Sequence, residues 1–263
     1  MFIDTHCHLD ATEFEGAQAS VIRSAQTVGV SRIVVPSVSR NNFDSVRELC
    51  QQYPNCSPAY GIHPMYVDDA TPGDLAVLRE YLKQHQAVAI GEIGLDFFIQ
   101  HYDRARQEHF FIEQLQLARE FDLPVLLHLR RAQDTALKHL RQINGRGGHS
   151  TGLMTGIAHA FNGSRQQADE FIKLGFKLGF GGAMTYPRAT KLRELAATLP
   201  LDSIVLETDA PDIPPDFLER GLPNEPQYIA RIAQTLAELR GLSLEEVARV
   251  TTANALSVLP GLK

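Results

Sequence analysis

Eight short apolar runs alternate with stretches of helical period along this chain of 263 residues, and that alternation limits the available folds more than any single motif. The runs are Phe2–Thr5, Arg32–Pro36, Ser57–Gly61, Val88–Gly91, Val125–Leu127, Gly156–Ala158, Lys177–Gly179 and Ile204–Leu206. The helix candidates between them are Gly16–Val28, Asn42–Gln52, Asp74–Gln84, Arg104–Phe121, Ala132–Ile143, Arg165–Leu174, Lys191–Leu199 and Pro226–Arg240. A further helix, Leu244–Leu256, closes the chain. Parallel strands need a long crossover, usually a helix, so this order predicts an α/β protein with a parallel sheet. Eight such units in a chain of this length predict a closed (β/α)8 TIM barrel rather than an open sheet. The expected organisation is a single domain over residues 1–263 with an extra C-terminal helix.

Local signals agree with these boundaries. Asn41-Asn42 and Thr71-Pro72-Gly73-Asp74 are helix-entry sequences. Ser243 with Glu246 reads as a capping box ahead of the last helix. Gly29 and Gly175 stand where a left-handed cap would end a helix. Gly145–Gly152 is a flexible loop by composition, expected on the face opposite the active site.

Composition narrows the function classes. No apolar run approaches the roughly 18–20 residues of a membrane span, and no basic region precedes an apolar N-terminal stretch. A cytoplasmic location is the default expectation, with Cys7, Cys50 and Cys56 as free thiols. The net charge of −6 argues against coating long duplex nucleic acid through a general basic surface. It leaves room for a local basic rim, or for a substrate whose phosphates meet metal ions.

In a barrel of this type, chemistry is built where strands end. His6 and His8 follow the first run, two residues apart, on one face of an extended chain. His63 follows the third, Glu92 the fourth, His128 the fifth, His159 the sixth and Asp209 the eighth. Scattered polar residues would not fall at that same point in unit after unit. Histidine and carboxylate ligands without a cysteine set favour zinc, manganese, magnesium or a similar divalent ion. With His63 set apart, the other four histidines and the two carboxylates exceed what one tetrahedral ion needs, and two ions sharing a carboxylate fit the count. The other histidines, His85, His101, His109, His139 and His149, are expected to face solvent.

His6-Cys7-His8, Gly91-Glu92-Ile93-Gly94-Leu95-Asp96, His128, His159-Ala160-Phe161-Asn162-Gly163 and Glu207-Thr208-Asp209-Ala210-Pro211 together resemble the signatures of the TatD family, metal-dependent hydrolases and deoxyribonucleases of the amidohydrolase superfamily. The match runs from residue 2 to the last helix. Ala160 departs from the cysteine many relatives carry there, at a position that is no ligand. The resemblance implies two divalent ions, one held by His6, His8, Glu92 and Asp209, the other by Glu92, His128 and His159. It implies metal-activated water attacking a phosphoester, with Glu92 and Asp209 as the catalytic carboxylates. His63, Arg130 and Arg131 are the expected substrate contacts, since guanidinium groups bind phosphate in a fork. Asn162-Gly163-Ser164 is expected to cap its helix, and Tyr66, Phe97, Phe98, Tyr102 and Phe161 are available to stack bases. The expected partners are DNA ends, short single strands or a small phosphorylated substrate, with no membrane. A small-molecule phosphoester, amide or lactone hydrolase on the same metals is the alternative, and a metal-binding interaction module is the non-enzymatic one.

Overall fold

A computed structural model describes residues 1–100, 102–145 and 153–262. The predicted alternation is present. The strands are β1 (Phe2–Asp4), β2 (Val30–Pro36), β3 (Cys56–Tyr60), β4 (Ala89–Asp96), β5 (Val125–Arg130), β6 (Gly156–Ala158), β7 (Lys177–Phe180) and β8 (Ile204–Leu206). The helices are α1 (Gln18–Thr27), α2 (Phe43–Gln52), α3 (Pro72–Gln84), α4 (Arg104–Glu120), α5 (Gln133–Gly145), α6 (Arg165–Lys173), α7 (Thr190–Thr198), α8 (Ile229–Arg240) and α9 (Leu244–Val258). The strands are parallel and adjacent in chain order from β1 to β8. The ring is drawn together by the Thr5 N–H donating to the Leu206 carbonyl at 3.1 Å, and by the His8 N–H donating to that of Ala210 at 2.7 Å. This is a (β/α)8 barrel.

The strands are apolar on both faces, so their sequences show no alternation of apolar and polar residues, yet their packing alternates. Phe2, Ile33, Val35, Tyr60, Val125, Leu127, Ile204 and Leu206 belong to the large core of the barrel. Their neighbours Ile3, Val34, Ala59, Leu126, Ile157 and Val205 form a second cluster with Ala255, Val258, Leu259 and Leu262 from the C-terminal end. The final helix therefore covers the bottom of the barrel and packs against its inward-facing side chains. Asn254 ties it there, its side-chain amide donating to the Leu201 and Ile204 carbonyls at 2.8 and 2.7 Å. Period two then carries the inward face upward: Leu126 is followed by His128, Ile157 by His159, and Val205 by Glu207 and Asp209.

Three differences from the expected elements matter. β4 and β5 continue to Asp96 and Arg130, past the Gly91 and Leu127 expected to end them. Gly94 pairs with His128, Leu95 with Leu129 and Asp96 with Arg130, so polar and glycine residues sit inside strands. Ser243 caps α9, accepting from the Glu246 N–H at 3.1 Å, but the Glu246 carboxylate engages Arg249 at 2.7 Å instead of returning to the cap. His139 is buried on α5 and faces Glu108 at 3.0 Å, because that helix face packs against α4. His85 is half-buried and His109 exposed, while His101 and His149 lie outside the described residues, as does most of the expected loop at 145–152. Other punctuation holds: Gly29 and Gly175 have φ of 90° and 84°, and Thr71–Asp74 and Ser164–Gln167 form capping boxes. All three cysteines are free. Among the described residues no helix is long and apolar enough to cross a membrane.

Candidate metal centre

A cavity of about 780 Å³ opens at the C-terminal end of the strands, with His8, His63, Glu92, His128, His159 and Asp209 on its walls. At its centre is Glu92, 1% exposed. Its backbone is fixed by the two preceding strands. The Glu92 N–H donates to the Ser37 carbonyl at 2.9 Å, and the Ser37 hydroxyl bridges the N–H and carbonyl of Gly61 at 2.9 and 3.0 Å. Gly61 allows that approach, since a Cβ there would lie 2.9 Å from the Glu92 carbonyl oxygen.

The two Glu92 oxygens face different partners. Oε2 is 3.1 Å from His6 Nε2 and 3.4 Å from His8 Nε2. Oε1 is 3.0 Å from His128 Nδ1, 3.4 Å from His159 Nε2 and 3.6 Å from His63 Nε2. Asp209 Oδ1 lies 3.7 Å from both His6 and His8 and 3.8 Å from His159. The six expected ligands and His63 thus meet in one cluster. Asp209, Ala160 and Arg131, just past three strand ends, have positive φ of 59°, 43° and 54°. Non-glycine residues rarely adopt this conformation, and such strain gathers at functional sites.

The field of the cluster suits a cation. Burial disfavours charge on the imidazoles, but on His8 the hydrogen bond and charge of Glu92 and the charge of Asp209 outweigh it and lift the pKa to about 9. On His159 burial is likewise outweighed, by Asp209, Glu207 and Glu92, and the pKa rises to about 10. On His128 the same opposition ends in a rise, through hydrogen bonds to Asp96 and Glu92. Burial of Glu92 is overcome by His6, His63, His159 and the His128 hydrogen bond, which hold its carboxyl well below the usual range. On His6 burial and the charge of His159 prevail and the pKa falls, although its Nε2 lies 3.1 Å from Glu92 and 3.3 Å from His8 Nε2. Divalent ions would meet the lone pairs of these imidazoles and carboxylates together. His6–His8–Asp209, His6–Glu92–His159 and His63–Glu92–His128 are groups whose ligand atoms converge closely enough to hold an ion. The donor set fits a metal.

Two carboxylates escaped the reading of the sequence. Asp96 is fully buried, with Oδ2 3.2 Å from His128 Nε2. Glu207, equally buried, has Oε1 3.3 Å from His159 Nδ1 and accepts the Ala160 N–H at 2.5 Å. A carboxylate behind a ligating imidazole fixes its ring and tautomer. Period-two spacing signals Glu207, two residues before Asp209; Asp96 becomes visible only once β4 is extended to its true end. His63 accepts the Met65 N–H on Nδ1 at 3.1 Å, leaving Nε2 to carry the proton of a neutral ring toward Glu92. Burial lowers the His63 pKa well below its ordinary value. Arg130 lines the cavity; Arg131 lies beside it, over Phe98. Of the candidate stacking residues, Phe161 is in the core, Phe97 stacks on Tyr102, and Tyr66 and Phe98 are exposed.

Comparison with known proteins follows the same line. The family model described as TatD related DNase matches residues 3–260. An uncharacterized metal-dependent hydrolase of Escherichia coli K12, YjjV, is 42% identical over 255 residues, covering 96% of this chain and 95% of its own. Another from Bacillus subtilis, YabD, is 36% identical over 258 residues, covering 97% of each chain. The crystal structure of the Escherichia coli YjjV protein, a TatD homolog, superposes with a TM-score of 0.92 at 39% identity, covering 98% of both chains.

Proposed function

The chain belongs to the TatD family of metal-dependent hydrolases, and from that premise we propose that it is a deoxyribonuclease that cleaves phosphodiester bonds with two divalent ions. The observation that carries the reading is the division of Glu92, one oxygen toward His6 and His8, the other toward His128 and His159. A carboxylate so placed suits a bridge between two ions. His6, His8 and Asp209 complete one set, and His128 and His159 the other. Zinc, manganese and magnesium all suit these donors. When bound, such ions supply positive charge to the phosphoryl oxygens and lower the pKa of the attacking water.

The chain's own residues supply orientation and proton handling. Asp209 Oδ1, within 3.8 Å of His6, His8 and His159, would orient the water and take its proton. His63 Nε2 donates to a phosphate or leaving-group oxygen, because its other nitrogen is already an acceptor. A ring in that tautomer offers no lone pair toward the cluster, which favours substrate contact over ligation. The substrates this site suits are DNA ends and short single strands.

Asp209→Ala is expected to lower kcat on a labelled single strand by at least about a hundredfold, the scale of a general base. Full activity of the purified variant with added metal would overturn the assignment, and native activity confined to small ester or amide panels would overturn the nuclease reading. His63→Ala is expected to slow hydrolysis about tenfold or more while metal content stays at the native level. Metal lost in proportion to activity would make His63 a ligand instead.

A further inference from the structure

The mouth of the barrel carries opposite charge on opposite walls. Where β8 meets β1 the cavity is lined by Asp10, Glu13 and Asp212. The order of the ring places β4 and β5 across from that seam. There the two strands run on beyond the metal cluster, and the Phe97 N–H continues the ladder, donating to the Arg130 carbonyl at 2.8 Å. Phe98 follows, 48% exposed, with the guanidinium carbons of Arg130 and Arg131 at 4.1 and 4.6 Å from its ring centroid. Cation–π contacts hold two long side chains whose freedom would otherwise oppose binding.

Asp96 is the base of this arrangement. Its Oδ1 accepts from the N–H groups of Phe98 and Ile99 at 2.9 and 3.3 Å, fixing the turn that presents the ring. Its Oδ2 lies 3.2 Å from His128 Nε2 and 3.7 Å from Arg130. One buried carboxylate therefore connects a candidate metal ligand to Arg130. Among the described residues it is the carboxylate within ion-pair reach of Arg130, and Arg131 has none. Two cations stand over one ring and only Arg130 reaches a carboxylate, one already engaged by a histidine, so positive charge is in surplus at this rim.

We propose that Phe98, Arg130 and Arg131 form a second-phosphate subsite, which takes the phosphate next along the chain from the one being cleaved. This rests on the phosphodiesterase reading above and narrows it: the preferred substrate is a single-stranded oligonucleotide rather than an isolated phosphodiester. Guanidinium forks match phosphate oxygens, and the ring holds both forks at the rim. The acidic wall at the β8–β1 seam repels a phosphate there, so the strand extends over β4 and β5.

The test compares hydrolysis of a thymidine dinucleotide with one phosphate and a trinucleotide with two, using manganese-loaded protein. The native kcat/KM for the trinucleotide is expected to exceed that for the dinucleotide by about tenfold, one charge-assisted phosphate contact. In the double variant Arg130→Ala with Arg131→Ala that ratio should fall to about one. Phe98→Leu, which keeps both charges and frees them, should lower it partway. A native ratio near one, or a ratio unchanged in the double variant, overturns the subsite whatever happens to absolute rates. If no phosphodiester is hydrolysed with magnesium, manganese or zinc, the phosphodiesterase reading fails instead. The subsite is then judged by fluorescence anisotropy with a labelled trinucleotide. Binding about fivefold or more weaker in the double variant supports it, and equal binding overturns it.

Discussion

Glu92→Ala is expected to reduce metal-dependent hydrolysis by about a thousandfold or more and to lower the bound metal to less than one ion per chain. The loss corresponds to about 4 kcal/mol of transition-state stabilisation, the scale of a metal centre acting on phosphoryl charge. Its size follows from position. One carboxylate, 1% exposed, has five imidazoles within 3.6 Å, divided between its two oxygens. Without it, His63 has no carboxylate within ion-pair reach among the described residues, and His128 keeps Asp96 alone. Asp209 still reaches His6, His8 and His159, so a weakened ion on that side is compatible with the expectation. Metal analysis after dialysis, with circular dichroism to establish the fold, reads the result. A variant that retains both its metal and its rate would show that Glu92 does not bridge.

The candidate ligands were legible because a barrel strand announces its end: a hydrophobic run gives way to a residue that would be costly in the core. His128 after Val125–Leu127 and His159 after Gly156–Ala158 are such residues, and β5 and β6 turn both inward. The same rule misplaced the ends of β4 and β5, which run on to Asp96 and Arg130. Glu92 and Gly94 look like the start of a loop, but the ladder holds through Asp96 because Ile93 and Leu95 stay in the core and Gly94 pairs with His128. Asp96 therefore stands in the sequence as one more motif residue with no role of its own, although it reaches both His128 and Arg130. Long-range partners are the least legible of all. Nothing near residue 108 announces that its carboxylate will meet His139 across the α4–α5 contact.

Gly179 shows how much of the site depends on space rather than on ligands. Its φ is not positive, so its backbone conformation does not require glycine. What requires it is Glu207: a Cβ at 179 would lie 2.1 Å from Glu207 Oε2 and 2.6 Å from Oε1. That carboxylate cannot swing into solvent as a surface side chain would. It is buried, holds the Ala160 N–H at 2.5 Å and stands 3.3 Å from His159 Nδ1. Gly179→Ala must displace it, breaking a charge-assisted hydrogen bond and freeing the His159 ring. Overpacking and the lost bond together predict destabilisation of about 2–4 kcal/mol. For a chain of this size that is a fall in Tm of roughly 4–16 °C. Metal affinity should fall about 10–100-fold, as when a carboxylate behind a ligating histidine is lost. A thermal melt in chelator and a metal titration measure the two effects separately. The double variant Gly179→Ala with Glu207→Ala identifies the cause. If the collision with Glu207 is the damage, adding the second substitution costs less than Glu207→Ala costs alone, a coupling of about 1–3 kcal/mol. Strict additivity would place the damage elsewhere in β7, and a Gly179→Ala protein that melts and binds metal like the native one would refute the packing argument itself.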